Sequence, residues 1–245
     1  MVKWMGLFKS IGRLSERFLV PEIMDDPALE KSEHIRALKG LETLNKFSRS
    51  SRLIWNQLRH LVDAKSAKPL RVLDIATGAG DVPIGLMKLA ASAGAVLEVE
   101  ACDFSARALE FARERASAAK VAVRFFEWNA VAQGVPGGYD AIVSSLFLHH
   151  LKTSDAANLL REMGRRARRM VVINDLVRSR TNYALAFAAT RLLSRSRVVH
   201  EDGPQSIAAA FTVPEMKAMA RDAELDGFEI KRRFPCRFVL SWKRR

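Results

Sequence analysis

The chain has 245 residues, 49% of them hydrophobic, with two cysteines and 40 basic against 27 acidic side chains, a net charge of +13. This composition suits one globular domain of the larger kind and excludes low-complexity, collagen-like and disulfide-stapled classes; Cys102 and Cys236 show no metal-ligand spacing, so a reducing compartment is the default. No apolar run approaches the ~18 residues of a membrane span and the start lacks the apolar core of a secretory signal, so a soluble cytoplasmic protein is expected.

In chain order, residues 1–65 read as a helical cap broken at "VPEIMDDP" (20–27). Trp4, Phe8, Ile11 and Phe18 fall near one helical face, which suits packing on the domain or a second subunit, a membrane-surface helix, or a lid gripping an alkyl chain. From residue 69 short apolar runs alternate with amphipathic ones. "PLRVLDI" (69–75), "AVLEVEACD" (95–103), "VAVRFFE" (121–127), "YDAIVSSL" (139–146) and "RMVVIND" (169–175) read as strands. Residues 81–93, 105–119 and 153–167 read as helices, the first with Ile84, Met87 and Leu89 inward, the second capped by Ser105 and the third by Thr153 or Ser154. Continuous apolar strands alternating with helices signify a doubly wound parallel α/β sheet. Residues 227–243 read as two strands joined tightly at Pro235, an antiparallel pair on the sheet edge. The expected division is a cap at 1–65 and a catalytic domain at 66–245, in which the long connection 176–213 forms a lid.

The turn "LDIATGAGD" (73–81) carries the chemistry. Gly78 and Gly80 permit close backbone approach and positive φ. The pattern Asp74-x-Ala76-x-Gly78-x-Gly80 lacks the third glycine of the dinucleotide fingerprint, and Asp74 would repel a pyrophosphate. A cationic ligand would welcome it, and S-adenosylmethionine carries a sulfonium and an ammonium without a phosphate. Asp103, ending the second strand, can accept from ribose hydroxyls; Phe104 beside it can pack on adenine; Asn129, after the third strand, can accept from the adenine amine.

"VLDIATGAGDVPIGL", "ACDFSARALEFARERA", "EWNA" and "YDAIVSSLFLHHL" together resemble class I S-adenosylmethionine-dependent methyltransferases, over residues 69–175. The resemblance implies a seven-stranded Rossmann-like sheet whose last strand is antiparallel. It implies a cofactor site of Asp74, Ala76, Thr77, Gly78, Gly80, Asp103, Phe104, Asn129, Ala130 and Ser145, with S-adenosylmethionine as cofactor. Ala76 stands where many members have glycine, as in the branch that resembles ubiquinone and menaquinone methyltransferases.

After the fourth strand, "SSLFLHH" lacks the Asn/Asp-Pro-Pro-aromatic turn of enzymes that methylate adenine or glutamine nitrogen, which leaves oxygen or carbon acceptors on small molecules. A phenol, with a pKa near ~10, attacks best as phenolate, so a positioned base would help. By resemblance to natural-product O-methyltransferases, His149 is the expected base and Asp175 its orienter; His150 is a weaker candidate. The N-terminal stretch and the insert look similar to a bacterial subgroup encoded with type III polyketide synthases, which would make His200, in the turn-rich "VVHEDGPQS", and Arg178 acceptor-site residues. The expected acceptor is a small phenolic, quinol or polyketide-derived aromatic, with C-methylation of a quinone precursor ring as the close variant and no metal site.

Ten arginines between 161 and 197 face only Glu162 and Asp175. They read as solvated helix faces or as a polyanion- or membrane-binding site, but no aromatic residues interleave them as a single-strand binder needs. RNA methylation and a catalytically silent binding protein are the competing classes. No stable nucleic-acid partner is expected, while peripheral membrane contact and a homodimer are left open.

Overall fold

A computed structural model describes residues 14–25, 29–30, 32–33, 36–37, 40, 49–62 and 68–244. Trp4, Phe8 and Ile11 lie outside them. Helix α1 (Ser50–Leu58) precedes the alternation β1 (Leu70–Ile75), α2 (Asp81–Ser92), β2 (Leu97–Asp103), α3 (Ala106–Ala118), β3 (Arg124–Glu127), β4 (Ala141–Ser145), α4 (Thr153–Arg166) and β5 (Met170–Leu176). Helices α5 (Arg180–Leu193), α6 (Arg197–Ala209) and α7 (Val213–Asp222) follow, then β6 (Glu229–Arg233) and β7 (Arg237–Lys243).

The seven strands order as β3-β2-β1-β4-β5-β7-β6. The first five are parallel and β7 runs antiparallel to both its neighbours. The expected antiparallel pair does close one edge of the sheet, with β6 outermost and β7 between β5 and β6. Strand order reverses between β1 and β4, which opens the crevice where such sheets bind ligands.

The strands read as unbroken apolar runs because both faces are covered. Leu73, Ile142, Val171, Ile173 and Phe238 point to the layer of α4 and α7, where Leu160, Met163, Met216 and Ala220 meet them. Their neighbours Val72, Val143, Val172 and Val239 point the other way, onto Ile54, Trp55, Leu58 and Leu86. The alternation is the two-residue period of a strand, with no polar face to interrupt it. Helix α1 thus packs into the sheet's own core. In α2, Leu86 is the residue fully buried, and the expected Met87 and Leu89 are only partly so. Ser105 caps α3 as expected, accepting from Ala108 N–H at 3.2 Å. Neither Thr153 nor Ser154 caps α4; that helix begins at Thr153 after Lys152, without a side-chain cap.

Residues 17–22 form a non-helical strap ending in a 3-10 turn, Ile23–Asp25; the chain is broken at 20–25 as expected, and the departure is at 17–19, where helix was expected. The strap lies along α6. Phe18 N–H donates to Ala208 C=O (3.2 Å), Gln205 donates to the carbonyls of Val20 and Pro21, and Asp202 accepts from the N–H groups of Ile23 and Met24 at 2.9 and 3.0 Å. An extended chain without sheet partners must satisfy its backbone elsewhere, and the polar face of α6 supplies the partners.

Candidate active site

The glycine turn leaves β1 with three residues in the left-handed region: Ala76, Gly78 and Gly80, at φ 55°, 53° and 76°. Alanine tolerates that conformation at a cost, which is the physical reason glycine is common at this place. A Cβ on Gly78 would meet open space, so the turn leaves room for a ligand; one on Gly80 would press against Ala112 at 3.1 Å and Phe125 at 3.3 Å, so this glycine lets α2 approach α3. Asp103 Oδ2 accepts from Gly78 N–H (2.8 Å), and Arg115 ties Ala79 C=O to Asp81.

Beneath the turn, the Asp74 carboxylate is buried and neither of its oxygens has a well-formed hydrogen bond; the Thr77 hydroxyl is in the same condition. Burial pushes Asp74 up to about 7, against a partial pull from the nearby Thr77 hydroxyl and with the Asp103 and Asp81 charges adding to the push. A buried carboxylate without a partner is costly, and a ligand ammonium would relieve it where a phosphate would aggravate it. The residues present therefore fit the cationic end of S-adenosylmethionine.

The other expected cofactor residues are disposed unevenly. Asp103 uses one lone pair of each oxygen on Gly78 and Ser105 N–H, leaving each oxygen a further site for ribose hydroxyls. Phe104 beside it is exposed. Ala130 is buried. Asn129 departs from expectation: its amide oxygen accepts from Val131 and Ala132 N–H at 3.1 Å each, so it caps its own loop instead of reaching for an adenine amine. Short Asn side chains compete for nearby backbone donors in this way. Ser145 accepts from Asn174 Nδ2 at 2.8 Å, and the Asn174 side-chain Oδ1 is buried without a partner.

One strand over, the 3-10 turn Leu148–His150 leaves β4 and meets the end of β5. His149 Nδ1 donates to Asp175 Oδ1 at 2.6 Å, and Asp175 Oδ2 accepts from His149 N–H at 3.2 Å, so ring and backbone are both fixed. Both residues are buried. Burial alone would lower the His149 pKa, but the Asp175 charge and hydrogen bond outweigh it and the value is raised; Asp175, despite its burial, is lowered by the same pairing. Because Nδ1 faces Asp175, Nε2 is the free position. His150 stacks beside it, ring centroids 4.2 Å apart, and is pushed down to about 4 by burial and the His149 charge. A cavity of about 250 Å³ opens here, lined by strap residues 19–22, both histidines, and Gln205, Ser206 and Ala209 of α6.

Two expected acceptor residues are elsewhere. His200 lies inside helix α6, not in a turn, and its Nε2 bonds the Ser194 carbonyl at 2.8 Å; it does not line this cavity. Arg178 is buried and spent: it donates to Glu215 through two nitrogens (2.6 and 3.0 Å), to Ala210 C=O and to Leu14 C=O. It clamps Leu14, just ahead of the strap, to the residue after α6 and the start of α7.

Sequence reading missed Arg17 and Glu22. Arg17 donates to His149 C=O at 2.8 Å, lies 3.8 Å over the Phe211 ring and bonds Ala209 C=O, so the strap pins the histidine turn. Glu22, held by Ser206, brings its carboxylate to the two histidines: one ligand atom from each of the three lies within 4.8 Å of the others, close enough to share a cation. The sequence expectation of no metal site could not weigh this, since Glu22 is remote in sequence from the histidines. The signal was only that an acid sits in a Pro-bounded, non-helical stretch.

The "Methyltransferase domain" family matches residues 72–169. Demethylmenaquinone methyltransferase of Thermus thermophilus is 41% identical over 86 residues, 34% of this chain and 37% of that protein, so the match spans about a third of the relative's length. A Nostoc punctiforme protein assigned as an O-methyltransferase superposes with a TM-score of 0.63 at 18% identity, over 98% of this chain and 68% of that one. The plantazolicin methyltransferase, solved with a desmethyl analogue and S-adenosylhomocysteine, gives 0.63 at 14% identity over 97% and 95%. Residues 72–169 thus carry a methyltransferase domain, and this match, the relatives and the fold together support a class I S-adenosylmethionine-dependent methyltransferase.

Proposed function

We propose that the protein methylates a hydroxyl of a small aromatic acceptor (phenolic, quinol or polyketide-derived), with His149 taking the hydroxyl proton. The observation that carries this reading is the buried His149–Asp175 pair, 2.6 Å apart, with Nε2 left free beside a cavity. S-adenosylmethionine, when bound, supplies an electrophilic methyl group on a sulfonium. Asp74 and Thr77 would hold its ammonium end, Gly78 its close approach, and Asp103 its ribose. His149 would accept the acceptor proton at Nε2 while Asp175 fixes the tautomer and stabilises the imidazolium that forms. Residues 1–65 and 176–213 would act as cap and lid over the domain 66–245, with strap residues 19–22 walling the acceptor in and keeping water out.

A second reading is C-methylation of a quinone precursor ring, favoured by the likeness to a protein named for demethylmenaquinone. The same base would serve, since removing a ring hydroxyl proton makes the adjacent carbon nucleophilic. The test is to incubate the protein with S-adenosylmethionine and a panel of phenols and quinols, and to locate the new methyl by mass spectrometry and NMR. An O-methyl product supports the first reading and a ring C-methyl product the second. Tight cofactor binding with no transfer to any member would overturn both.

A further inference from the structure

The exposed apolar residues are not scattered. Among the described residues, eleven large apolar side chains are exposed, and all but Val96 and Phe111 belong to the carboxyl edge of the sheet or to segments lying over it. Helix α5 leaves that edge directly after β5. Its one buried residue, Thr190, meets α6 at Gly203, where a Cβ would come within 2.4 Å of the threonine methyl. The opposite face of α5 is a narrow stripe of Ala184, Leu185, Ala188 and Leu192, all exposed, with Leu192 at 83%. At 3.6 residues per turn these four fall within about 100° of one another.

The β6–β7 turn stands at the same edge, because Arg237 at the start of β7 pairs with Leu176 at the end of β5. It carries Phe234, 86% exposed, and Cys236 beside it contacts the first turn of α5 at Asn182 C=O. Phe18 and Leu19 of the strap add to this edge on the far side of α6, and Leu19 also lines the cavity. Around the stripe, Arg180, Arg195, Arg197 and Arg232 are exposed and have no carboxylate partner among the described residues. Between residues 161 and 197 the two acids are engaged elsewhere, Asp175 with His149 and Glu162 with Arg165 and Arg166 on α4; Glu201 of α6 is the exposed acid nearest Arg197 in the chain, so basic groups outnumber acids around the stripe.

We infer that the α5 stripe and the Phe234 turn form a docking surface for an anionic phospholipid bilayer, which brings the mouth of the His149 cavity to the lipid. Apolar side chains that enter the headgroup boundary, ringed by arginines, are the composition such a surface requires. A second copy of this chain would bring the same arginines against one another, and RNA would leave the leucines in water, so a bilayer satisfies both halves of the patch. An acceptor with an alkyl tail would then pass from the membrane to the cavity, a consequence that rests on the methyl-transfer reading, while the docking itself does not.

The test is flotation of the full chain with phosphatidylcholine vesicles, with and without phosphatidylglycerol, in the absence of any acceptor. Binding to the anionic vesicles and not to the neutral ones is expected, weakening as salt rises. Leu192→Glu and Phe234→Ser should each lower partitioning by about tenfold or more, since each removes a group that would sit in the headgroup boundary. Calorimetric binding of S-adenosylmethionine by both variants should be unchanged, which confirms that they fold. Three results would overturn the proposal: indifference of the wild type to anionic vesicles; partitioning unaffected by either variant; or a wild-type dimer in light scattering that Leu192→Glu dissociates. Loss of methyl transfer with docking intact would count against the proposed reaction alone.

Discussion

Asp175 accepts hydrogen bonds from both the ring Nδ1 and the backbone N–H of His149, at 2.6 and 3.2 Å, across two adjacent parallel strands. The double contact fixes the imidazole's tautomer and tilt, and it sets which nitrogen faces the cavity. The energetic sign also follows. His149 is raised above 6.5, so its pairing stabilises the fold fully below that value and loses the contribution as pH rises through the raised folded pKa. Asp175 is lowered below 3.8; its contribution is present above 3.8 and is lost as pH falls through the lowered value.

A base must be neutral to act. Methyl transfer should therefore rise with pH along a limb whose midpoint lies above 6.5, and Asp175→Asn should move that midpoint down while lowering kcat by roughly 10²-fold or more. His149→Ala should lower kcat similarly and leave calorimetric cofactor affinity alone. An unshifted pH profile in Asp175→Asn would remove Asp175 as a positioning residue.

Asp74 carries the opposite sign. With its pKa raised from 3.8 to about 7, ionisation is disfavoured in the fold, so stability is lost as pH rises between those values. Asp74→Asn should stabilise the free protein at pH 8 by on the order of 2–4 kcal/mol while weakening S-adenosylmethionine binding at least tenfold. In the wild type, cofactor affinity should fall as pH drops below about 7, because the ammonium then has a neutral acid to face. Thermal denaturation and calorimetry at two pH values check both. Tighter cofactor binding by the asparagine variant would refute the assignment.

Arg178 joins Leu14, Ala210 and Glu215. Its guanidinium is buried while Glu215 is 42% exposed, so the full cost of breaking a buried pair is discounted for solvent. Arg178→Ala should destabilise by about 2–3 kcal/mol and lower Tm by roughly 5–10 °C, and Arg178→Lys should recover only part of this, since lysine lacks the two-pronged fork. Scanning calorimetry decides it, and a variant melting with the wild type would mean that the clamp holds nothing.

The cluster of Glu22, His149 and His150 gives a fourth expectation. His149 Nε2 is both the proposed base and the lone pair a cation would take, so base and ligand roles exclude each other. Micromolar Zn²⁺ should inhibit transfer reversibly, with chelator restoring it, and Glu22→Gln should weaken the inhibition by about tenfold through loss of a charged oxygen ligand. Inhibition indifferent to Glu22 would place the zinc elsewhere.

Much of this protein was written locally. The apolar runs gave β1–β5 because burial on both faces demands unbroken hydrophobic strands, and Ser105 announced α3 because a cap acts within one turn. The glycine turn was legible because Gly78 and Gly80 occupy backbone conformations that other residues reach only under strain, and Asp74 because a carboxylate at that place selects a cation. His149 and Asp175 could be paired because adjacent parallel strands end at the same edge.

What lay beyond local reading depends on contacts made across the chain. Residues 17–19 read as helix because their apolar spacing is ambiguous, and only the donors and acceptors of α6 decide that the non-helical strap begins at Arg17, ahead of the break expected at 20–27. Arg178 and His200 are acceptor residues by the insert's resemblance, whereas the fold sets the Arg178 guanidinium on Glu215 and His200 Nε2 on the Ser194 carbonyl. Asn129 had two uses open to its amide, and the loop's own N–H groups claimed it. Glu22 reaches the histidines only when residues far apart in sequence are folded together. Sequence fixes backbone propensity and burial period, which are short-ranged; the partner of a long polar side chain is set by the tertiary packing that brings a donor or acceptor within about 3 Å.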